Sequence, residues 1–370
     1  MTTFTTRLLA ALLRPGTAAM RRLRLPAKLG LTGLALLLPL VAITAVQVGR
    51  VVDDIAFVGA ERLGADVTHA LLEVVQRTQA HRAEPGSPEA AAALRQAIAG
   101  MDAQTRTAFA LDKDWAPIRD ALRGLVDAAP GQAAPAAEAA YAAQVDALRQ
   151  LQFVVGERSL LLFDPEDRAF FLMNVLVQHV IPWTEAADQL RGAGAAALAR
   201  RSVGVSEFAA LVTQAQRVAL EADMVGMHLA AYERTGERMP SGWAAARDAS
   251  RDLSMRAMAG FGQGRVEGRP DEWLTQGAQA LDAARALERQ MLARLTEILD
   301  QRAAGARSTL ALALALAILG VMLLVYLGLS FSHDILSALR ALRASLADAA
   351  GGDFSTPVRV AGRDEVADMG

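Results

Sequence analysis

The twenty residues 29–48 read LGLTGLALLLPLVAITAVQV and contain no charged side chain. A helix rises about 1.5 Å per residue, so this stretch spans roughly 30 Å, the thickness of the hydrocarbon core of a bilayer. A second uncharged stretch, STLALALALAILGVMLLVYLGLSFS, occupies residues 308–332 and is long enough to cross a bilayer with some tilt. The two stretches predict two transmembrane helices.

The basic residues of the N-terminal segment predict the orientation of these helices. Six basic side chains and no acidic one occur in the first 28 residues: Arg7, Arg14, Arg21, Arg22, Arg24 and Lys28. The positive-inside rule therefore places the N-terminus in the cytoplasm, residues 49–307 outside and the chain after residue 332 inside again. A cleaved signal peptide also begins with basic residues. However, twenty apolar residues exceed the usual signal core and AITAVQV is a poor cleavage site, which favours a membrane anchor.

The composition predicts an all-α protein. Hydrophobic residues make up 53% of the chain and aromatic residues only 5%, because alanine and leucine dominate and both favour helices. The net charge of −2 gives no bulk affinity for nucleic acid. The chain has no cysteine, which excludes disulfides, thiolate zinc sites and cysteine nucleophiles.

The segment 49–307 has helical periodicity almost throughout. Apolar residues recur every three to five positions from Val51 to Val74, so we expect the first helix to continue out of the membrane without a break. Ser87 and Pro88 have the chemistry of a helix cap and a first helical position. We expect six to eight external helices, in one long bundle or in two shorter bundles stacked end to end.

Further helix boundaries follow from proline and acidic residues. Asp164 is expected to cap a helix with Pro165 at its first position, and Pro182 is expected to kink that helix. Ser206 opens another helix that runs to about Glu233. Pro270 starts the last helix, which we expect to run directly into the second apolar stretch.

No motif in the sequence indicates catalysis. The five histidines are scattered and form neither HExxH nor HxxxH, and GFGQGR (260–265) has no strand before it and no Lys-Ser/Thr after it. The tetrapeptide GGDF (351–354) matches the signature of diguanylate cyclases, which requires a surrounding α/β domain, and only 16 residues follow Phe354. We therefore predict no catalytic residues, no metal ligands and no cofactor, and expect the chain not to be an enzyme.

Two external stretches resemble the sensor regions of bacterial methyl-accepting chemotaxis proteins and their histidine-kinase relatives. They are ERLGADVTHALLEVVQRTQAHR (61–82) and LLLFDPEDRAFFLMNVLVQHVIPWTEAADQLRG (160–192). The matching residues are Glu61, Arg62, Gly64, Gln79, His81, Arg82, Asp164, Pro165, Leu172, Met173, Pro182 and Arg191. The aromatic pair usual in the family is Phe170–Phe171 here and lacks the tyrosine hydroxyl. The resemblance implies a sensor domain and identifies no ligand.

Arg82 and Arg191 are the candidate ligand-binding residues. A guanidinium presents a fork of N–H donors that matches a carboxylate, so both side chains are suited to anion binding. The alternative is an internal ion pair, with Glu61 or Asp164 as the partner, that fixes the register of the helices.

Residues 333–370 resemble a HAMP linker, the parallel four-helix dimer that joins membrane helices to signalling outputs. Ile335, Leu339, Leu342 and Leu346 form a narrow apolar seam suited to coiled-coil packing. A glycine stop, an extended connector and the start of a second helix, GRDEVADM, follow. The other matching residues are Gly352, Asp353, Phe354, Gly362, Asp364 and Glu365; Ala338 occupies the place where the family usually has proline.

The combined prediction is an all-α, membrane-anchored periplasmic helical bundle with two transmembrane helices and a partial HAMP coiled-coil linker. Its parts are a basic cytoplasmic N-terminus (1–28), transmembrane helix 1 (29–48), a periplasmic sensor bundle (49–307), transmembrane helix 2 (308–332) and an incomplete HAMP linker (333–370). We expect a homodimeric chemoreceptor of the bacterial inner membrane. The expected partners are the lipid bilayer, a small-molecule ligand or a periplasmic binding protein, and cytoplasmic signalling proteins, but no nucleic acid.

Two other classes of protein fit the same sequence. The second HAMP helix has only about two turns before residue 370, so we expect the output domain to lie beyond it. That output is a methyl-accepting signalling domain, or the catalytic domain of a histidine kinase or diguanylate cyclase. Alternatively, the chain is a membrane-bound binding or scaffold protein without an output.

Overall fold

The computed structural model describes residues 25–128, 134–261 and 266–351, together with Gly16, Met20 and Leu23. All regular structure in these residues is helical, which confirms the all-α prediction. The α-helices are α1 (Leu25–Ala83), α2 (Pro88–Thr105), α3 (Asp112–Asp127), α4 (Ala134–Arg158), α5 (Asp167–Asn174), α6 (Val180–Arg200), α7 (Val205–Arg234), α8 (Trp243–Phe261) and α9 (Pro270–Ala350). A 3₁₀ turn (Leu161–Phe163) precedes α5, and a π-helical turn (Val175–His179) joins α5 to α6.

The chain divides into two compact units. One comprises residues 55–305, which we call the bundle unit, and the other comprises residues 1–54 and 306–370. In the second unit, the apolar stretches 29–48 and 308–332 are helical from end to end, and Pro39 does not interrupt α1. These parts of α1 and α9 are long and apolar enough to cross a membrane, and none of their most apolar residues is buried inside the protein.

The segment from α5 to α6 lies at the centre of the bundle unit. Most residues from Leu172 to Leu190 are buried and most of the buried ones are apolar, so this segment supplies much of the core to which the other helices pack. Trp183, one of the largest fully buried side chains, donates its indole N–H to Ser250 Oγ at 3.2 Å and so pairs its single polar atom.

Several predicted helix ends are confirmed. α1 continues without a break from the apolar stretch to Ala83. Ser87 Oγ accepts the Ala90 N–H at 3.3 Å and Pro88 is the first residue of α2, while Pro270 begins α9. α7 begins at Val205, one residue before the predicted start, because the Glu207 carboxylate reaches back to the N–H of Gly204 at 3.1 Å.

The predicted helix start at Asp164 and Pro165 is wrong. α5 begins at Asp167, and Glu166 is the residue before it. Asp164 Oδ1 accepts the N–H of Glu166 at 2.8 Å, so its side chain closes a local turn of the chain and does not cap a helix. The left-handed backbone of Leu160, with φ of 66°, and the 3₁₀ turn direct the chain into this turn.

The disturbance expected at Pro182 takes the form of the π-helical turn. Proline has no N–H, so Gln178 loses its usual helical donor, and the ring needs space in the preceding turn. In the widened turn the N–H of Val180 bonds to the carbonyl of Val175, five residues back. The helix continues on both sides of the turn.

The apolar seam predicted after residue 332 lies on α9, which continues to Ala350. Leu339 and Leu346 are 45% and 63% exposed in the single chain, so the seam is available to a partner. The remaining residues of the proposed HAMP linker, Gly352, Asp353, Phe354, Asp364 and Glu365, lie outside the described residues, as does most of the basic N-terminal segment.

Candidate functional site

The ERLG and DP motifs come together around an arginine of α9. Arg302 Nη1 donates to Glu61 Oε2 at 3.2 Å and to both carboxylate oxygens of Asp164 at 3.0 Å. Its Nε lies 3.0 Å from Glu166 Oε2. We call these four residues the Arg302 cluster. The side chains of Glu61 and Asp164 are fully buried, so the cluster fastens α1, the segment before α5 and α9 to one another inside the bundle unit.

The Arg302 cluster has more negative than positive groups. One guanidinium contacts three carboxylates, two of them without solvent exposure. Burial, followed by the charge of Asp164, raises the pKa of Glu61 to about 8 even though Arg302 lies beside it. Glu61 is therefore protonated and uncharged at neutral pH. Its neutral form reduces the excess of negative over positive charge in the cluster.

Two other residues of the ERLG motif support the same contact. A Cβ on Gly64 would collide with the side chain of Ser159, so glycine lets α1 approach the turn after α4. Arg62 forms an ion pair with Asp66 and donates from Nε to Asp300 Oδ1 at 3.1 Å, which adds a partly exposed link between α1 and α9. In this protein the motif therefore has a packing role.

Alternating charges continue from the Arg302 cluster across the bundle unit. Glu166 also pairs with Arg168, whose Nη1 lies 3.0 Å from Glu237 Oε1. The other oxygen of Glu237 lies 2.6 Å from Arg294 on α9, and Arg294 also donates to the Tyr232 hydroxyl at 3.2 Å. The chain of ion pairs thus leaves α9 at Arg302 and returns to it at Arg294.

A second charge cluster surrounds Arg82. This side chain is 5% exposed and bonds to Glu185 Oε1 at 2.7 Å and, from Nε, to Asp188 Oδ2 at 3.0 Å. Arg191 Nη2 lies 2.7 Å from the other oxygen of Asp188. Burial opposes the charged form of Arg82, but the hydrogen bonds and charges of Glu185 and Asp188 outweigh it and raise its pKa. We call Arg82, Glu185, Asp188 and Arg191 the Arg82 cluster.

Arg82 does form an internal ion pair, but the predicted partners are wrong. Glu61 lies roughly 30 Å away along the same continuous helix, too far for contact, and both Glu61 and Asp164 pair with Arg302. Glu185 and Asp188 lie one turn apart on α6 and both contact Arg82. Arg302, Glu185 and Asp188 were not singled out by the sequence, because no local pattern indicates which distant charges will meet.

α9 also makes room for the Arg82 cluster. A Cβ on Gly277 would lie 2.7 Å from Cβ of Arg191, so a glycine is needed where α9 passes this side chain. Gln79 donates to Glu185 Oε2 at 3.1 Å, and Arg285 of α9 donates to Gln79 Oε1 at 3.2 Å. The Arg302 cluster therefore connects α1 to α9 directly, and the Gln79–Arg285 hydrogen bond beside the Arg82 cluster connects them at a second level of the bundle unit.

A cleft of about 800 Å³ lies beside the Arg82 cluster, which is within the range of small-molecule sites. Its polar groups come from two basic residues, three acidic residues and two amides: Arg82, Arg191, Glu138, Asp188, Glu207, Gln189 and Gln214. Its walls are largely alanine: Ala83, Ala139, Ala142, Ala193, Ala195, Ala196 and Ala210. We call it the alanine-walled cleft. A second cleft, of about 400 Å³, also includes Arg191 together with Arg77 and Arg285.

The two candidate arginines differ in the donors they can offer. Arg82 directs its Nε and both terminal nitrogens to Glu185 and Asp188, with the half-exposed Glu138 at 3.5 Å. Arg191 uses Nε and Nη2 on Asp188, and its Nη1 has no partner among the described residues. Arg191 is therefore the better placed of the two for an external anion, and Arg82 holds the carboxylates against which Arg191 is oriented.

The histidines do not form a metal site in the described part of the chain, where no group of three ligating side chains occurs. His81 is buried, its Nδ1 lies 2.6 Å from the Tyr141 hydroxyl, and burial lowers its pKa. His179 Nδ1 lies 3.0 Å from Glu221 and its ring packs at 5.2 Å from that of His228. Both arrangements join helices.

The fold and site thus define a helical-bundle protein with two candidate membrane helices, two charge clusters inside the bundle and a cleft at one of them. Comparison with protein-family models, with curated proteins and with solved structures finds no match to this chain.

Proposed function

We propose that the protein is a transmembrane receptor that binds an extracytoplasmic small molecule in the alanine-walled cleft and signals through α9. The supporting observation is that α1 and α9, which the Arg302 cluster and the Gln79–Arg285 hydrogen bond hold together, are the same two helices that contain the apolar stretches. A change in the packing of these helices in the bundle unit is therefore carried by elements that continue into both stretches.

The proposed ligand is an anion with at least one carboxylate. Arg191 lines the cleft and its Nη1 has no partner among the described residues, and a guanidinium bonds to carboxylates in a defined geometry. Binding would draw Arg191 towards the ligand and away from Asp188, and so change the balance of charges around Arg82 and Gln79. Arg285 of α9 bonds to Gln79, which gives the ligand a route to α9.

The proposed output is a shift between two packed states of the helices. A homodimer packed through the seam at Ile335, Leu339 and Leu342 would read this shift as a HAMP linker does. Residues 333–370 then belong to the cytoplasm, and the signalling partners are recruited by a domain that follows the linker. In this proposal the chain itself carries no catalytic group.

Disulfide cross-linking tests the proposal directly, because the chain has no cysteine of its own. Thr44 and Ala317 line the same apolar groove between the two membrane stretches, so the variant Thr44→Cys/Ala317→Cys reports on their packing. A panel of mono- and dicarboxylates is first screened by thermal shift. Any binder should then change the cross-linking rate of the full chain in lipid nanodiscs.

The matched control is the same cysteine pair combined with Arg191→Gln, which should abolish both binding and the change in rate. A carboxylate that binds in the cleft while the cross-linking rate stays constant would favour a binding or scaffold protein without signalling. If no carboxylate in the panel binds, the ligand class is wrong.

A further inference from the structure

We propose that Glu61, buried against Asp164, is a proton-binding site, and that loss of its proton loosens the contact of α1 with α9 and with the segment before α5. The ligand of this site is the proton itself. The site lies in the Arg302 cluster and is separate from the alanine-walled cleft.

The arrangement of charges requires a proton. Neither Glu61 nor Asp164 has any exposed side-chain surface, and their carboxyl groups are within hydrogen-bonding reach of each other. Among the described residues, the one cation that contacts both is Arg302 of α9, and it also contacts Glu166. Two adjacent buried carboxylates do not both ionise at neutral pH when one guanidinium is shared among three acids.

The other charges near Glu61 do not relieve this imbalance. On α1 itself, the neighbouring Arg62 is directed to Asp66 and to Asp300 of α9. From the segment before α5, Asp164 and Glu166 add negative charge. Arg168 neutralises part of Glu166 and Glu237 but does not contact Glu61.

An unpaired oxygen of Glu61 favours the neutral form of its carboxyl group. Oε1 of Glu61 is buried and has no hydrogen-bond partner among the described residues. A buried oxygen without a partner is more costly on an ionised carboxylate than on a neutral carboxyl group. Burial and the neighbouring Asp164 together raise the pKa of Glu61 from 4.5 to about 8. The unpaired buried oxygen and the raised pKa of Glu61 therefore both favour its protonated form.

The sign of the resulting pH dependence is opposite to that of an ordinary ion-paired acid. The pKa of Glu61 is 4.5 in the unfolded chain and about 8 in the folded protein. At pH values between these two, Glu61 of the folded protein holds a proton that the unfolded chain has released. Folding stability therefore falls as the pH rises through this interval, and this contribution becomes constant above it. Arg302 and Glu166 are partly exposed, at 20% and 22%, so water has a short route to the site.

Infrared spectroscopy on the full chain in nanodiscs tests the site without reference to signalling. At about pH 6 the wild type should show the carbonyl-stretch band of a protonated carboxyl, which disappears by about pH 9. Every infrared sample carries Glu288→Gln, because burial also raises the pKa of Glu288, to about 7. On this background Glu61→Gln should lack the titrating band. Over the same range the wild-type Tm should fall by on the order of 5 °C, and the Tm of Glu61→Gln should change much less.

Glu166→Gln is the matched control, because it makes the same chemical change on the partly exposed acid of the cluster. It should keep the titrating band, with a midpoint at lower pH. Asp164→Asn provides a second test if Glu61→Gln does not fold, since removing the neighbouring charge should also move the midpoint down. A titrating band that persists in Glu61→Gln, or a wild type without one, overturns the proposal.

A link from this site to signalling rests on the receptor function proposed above. It predicts that the Thr44→Cys/Ala317→Cys cross-linking rate changes between about pH 6 and pH 9 in the wild type and not in Glu61→Gln. If the infrared band titrates while the cross-linking rate does not, the proton site stands and its role in signalling is wrong.

Discussion

Arg82 and Arg302 each contact several carboxylates, but the surroundings of the two arginines differ. In the Arg82 cluster two arginines face two closely bound acids, Glu185 and Asp188, so basic and acidic side chains are equal in number. Arg302 alone faces three acids. The first cluster is therefore suited to holding helices in register, and the second to exchanging a proton.

Arg82→Ala should destabilise the bundle unit strongly. Removal of one member of a buried ion pair leaves the other uncompensated, which costs about 3–5 kcal/mol. Chemical denaturation of the full chain followed by circular dichroism measures this loss. Arg95→Ala is the control, because the Arg95–Asp127 pair, at 2.8 Å, is close in length to the Arg82–Glu185 pair at 2.7 Å yet more than half exposed, and its loss should cost less than about 1 kcal/mol. Equal effects of the two substitutions would contradict the structural role of Arg82.

Gly64→Ala should also be destabilising, by about 1–3 kcal/mol, because the new methyl group would collide with Ser159. Gly59→Ala lies on the same helix with no neighbour near the new Cβ and should stabilise α1 by up to about 1 kcal/mol. Thermal unfolding of the two variants gives the comparison. A Gly64→Ala protein as stable as Gly59→Ala would show that α1 does not pack closely on the turn after α4.

At the scale of elements, the sequence predicts those helix ends whose signals are local. Ser87 with Pro88, and Pro270, carry their capping chemistry within one turn and were placed correctly. Asp164 was predicted to cap a helix, but its carboxylate instead closes a local turn and forms the ion pair with Arg302. The ion pair depends on a residue far away in the sequence, so the local sequence could not predict it.

The sequence indicated individual residues of the charge clusters but not which of them pair with one another. Glu61, Asp164, Arg82 and Arg191 all lie in charge clusters, yet the sequence could not assign them to two separate clusters. Arg302 contacts Asp164 from 138 positions away, and proximity of that kind depends on how long helices pack, not on residue spacing. Two acids that are buried side by side require a nearby cation. That requirement was the one indication that an arginine of α9 would contact Glu61 and Asp164.

The contact of α9 with α6 should be sensitive to the size of residue 277. Gly277→Ala would press on the stem of Arg191, so we expect a roughly tenfold or greater loss of affinity for any ligand that binds through Arg191, with a loss of stability of about 1–3 kcal/mol. Isothermal titration with a carboxylate identified in the screen measures the affinity. Gly100→Ala, on α2 with open space around the new Cβ, is the control and should bind normally.

At the scale of the whole molecule, dimerisation is the property on which the receptor proposal depends. The variant Leu339→Glu/Leu342→Glu places charges in the apolar seam and should shift the chain towards monomers, because burying unpaired carboxylates between helices is costly. Arg340→Glu/Arg343→Glu changes the exposed face of the same helix and should leave more of the dimer intact. Sedimentation in detergent distinguishes the two results, and equal behaviour of both variants would exclude the seam as the interface.

The alanines around the cleft have a consequence for selectivity. An alanine side chain has no rotamers, so a wall built from seven of them cannot rearrange to fit different guests and loses no side-chain entropy when a guest arrives. Such a wall discriminates between guests by their shape. One additional methylene group should change the binding free energy of a guest by about 1–3 kcal/mol. Replacing Ala142 or Ala196 with valine should therefore shift the preferred guest to a smaller homologue and should not simply weaken all binding.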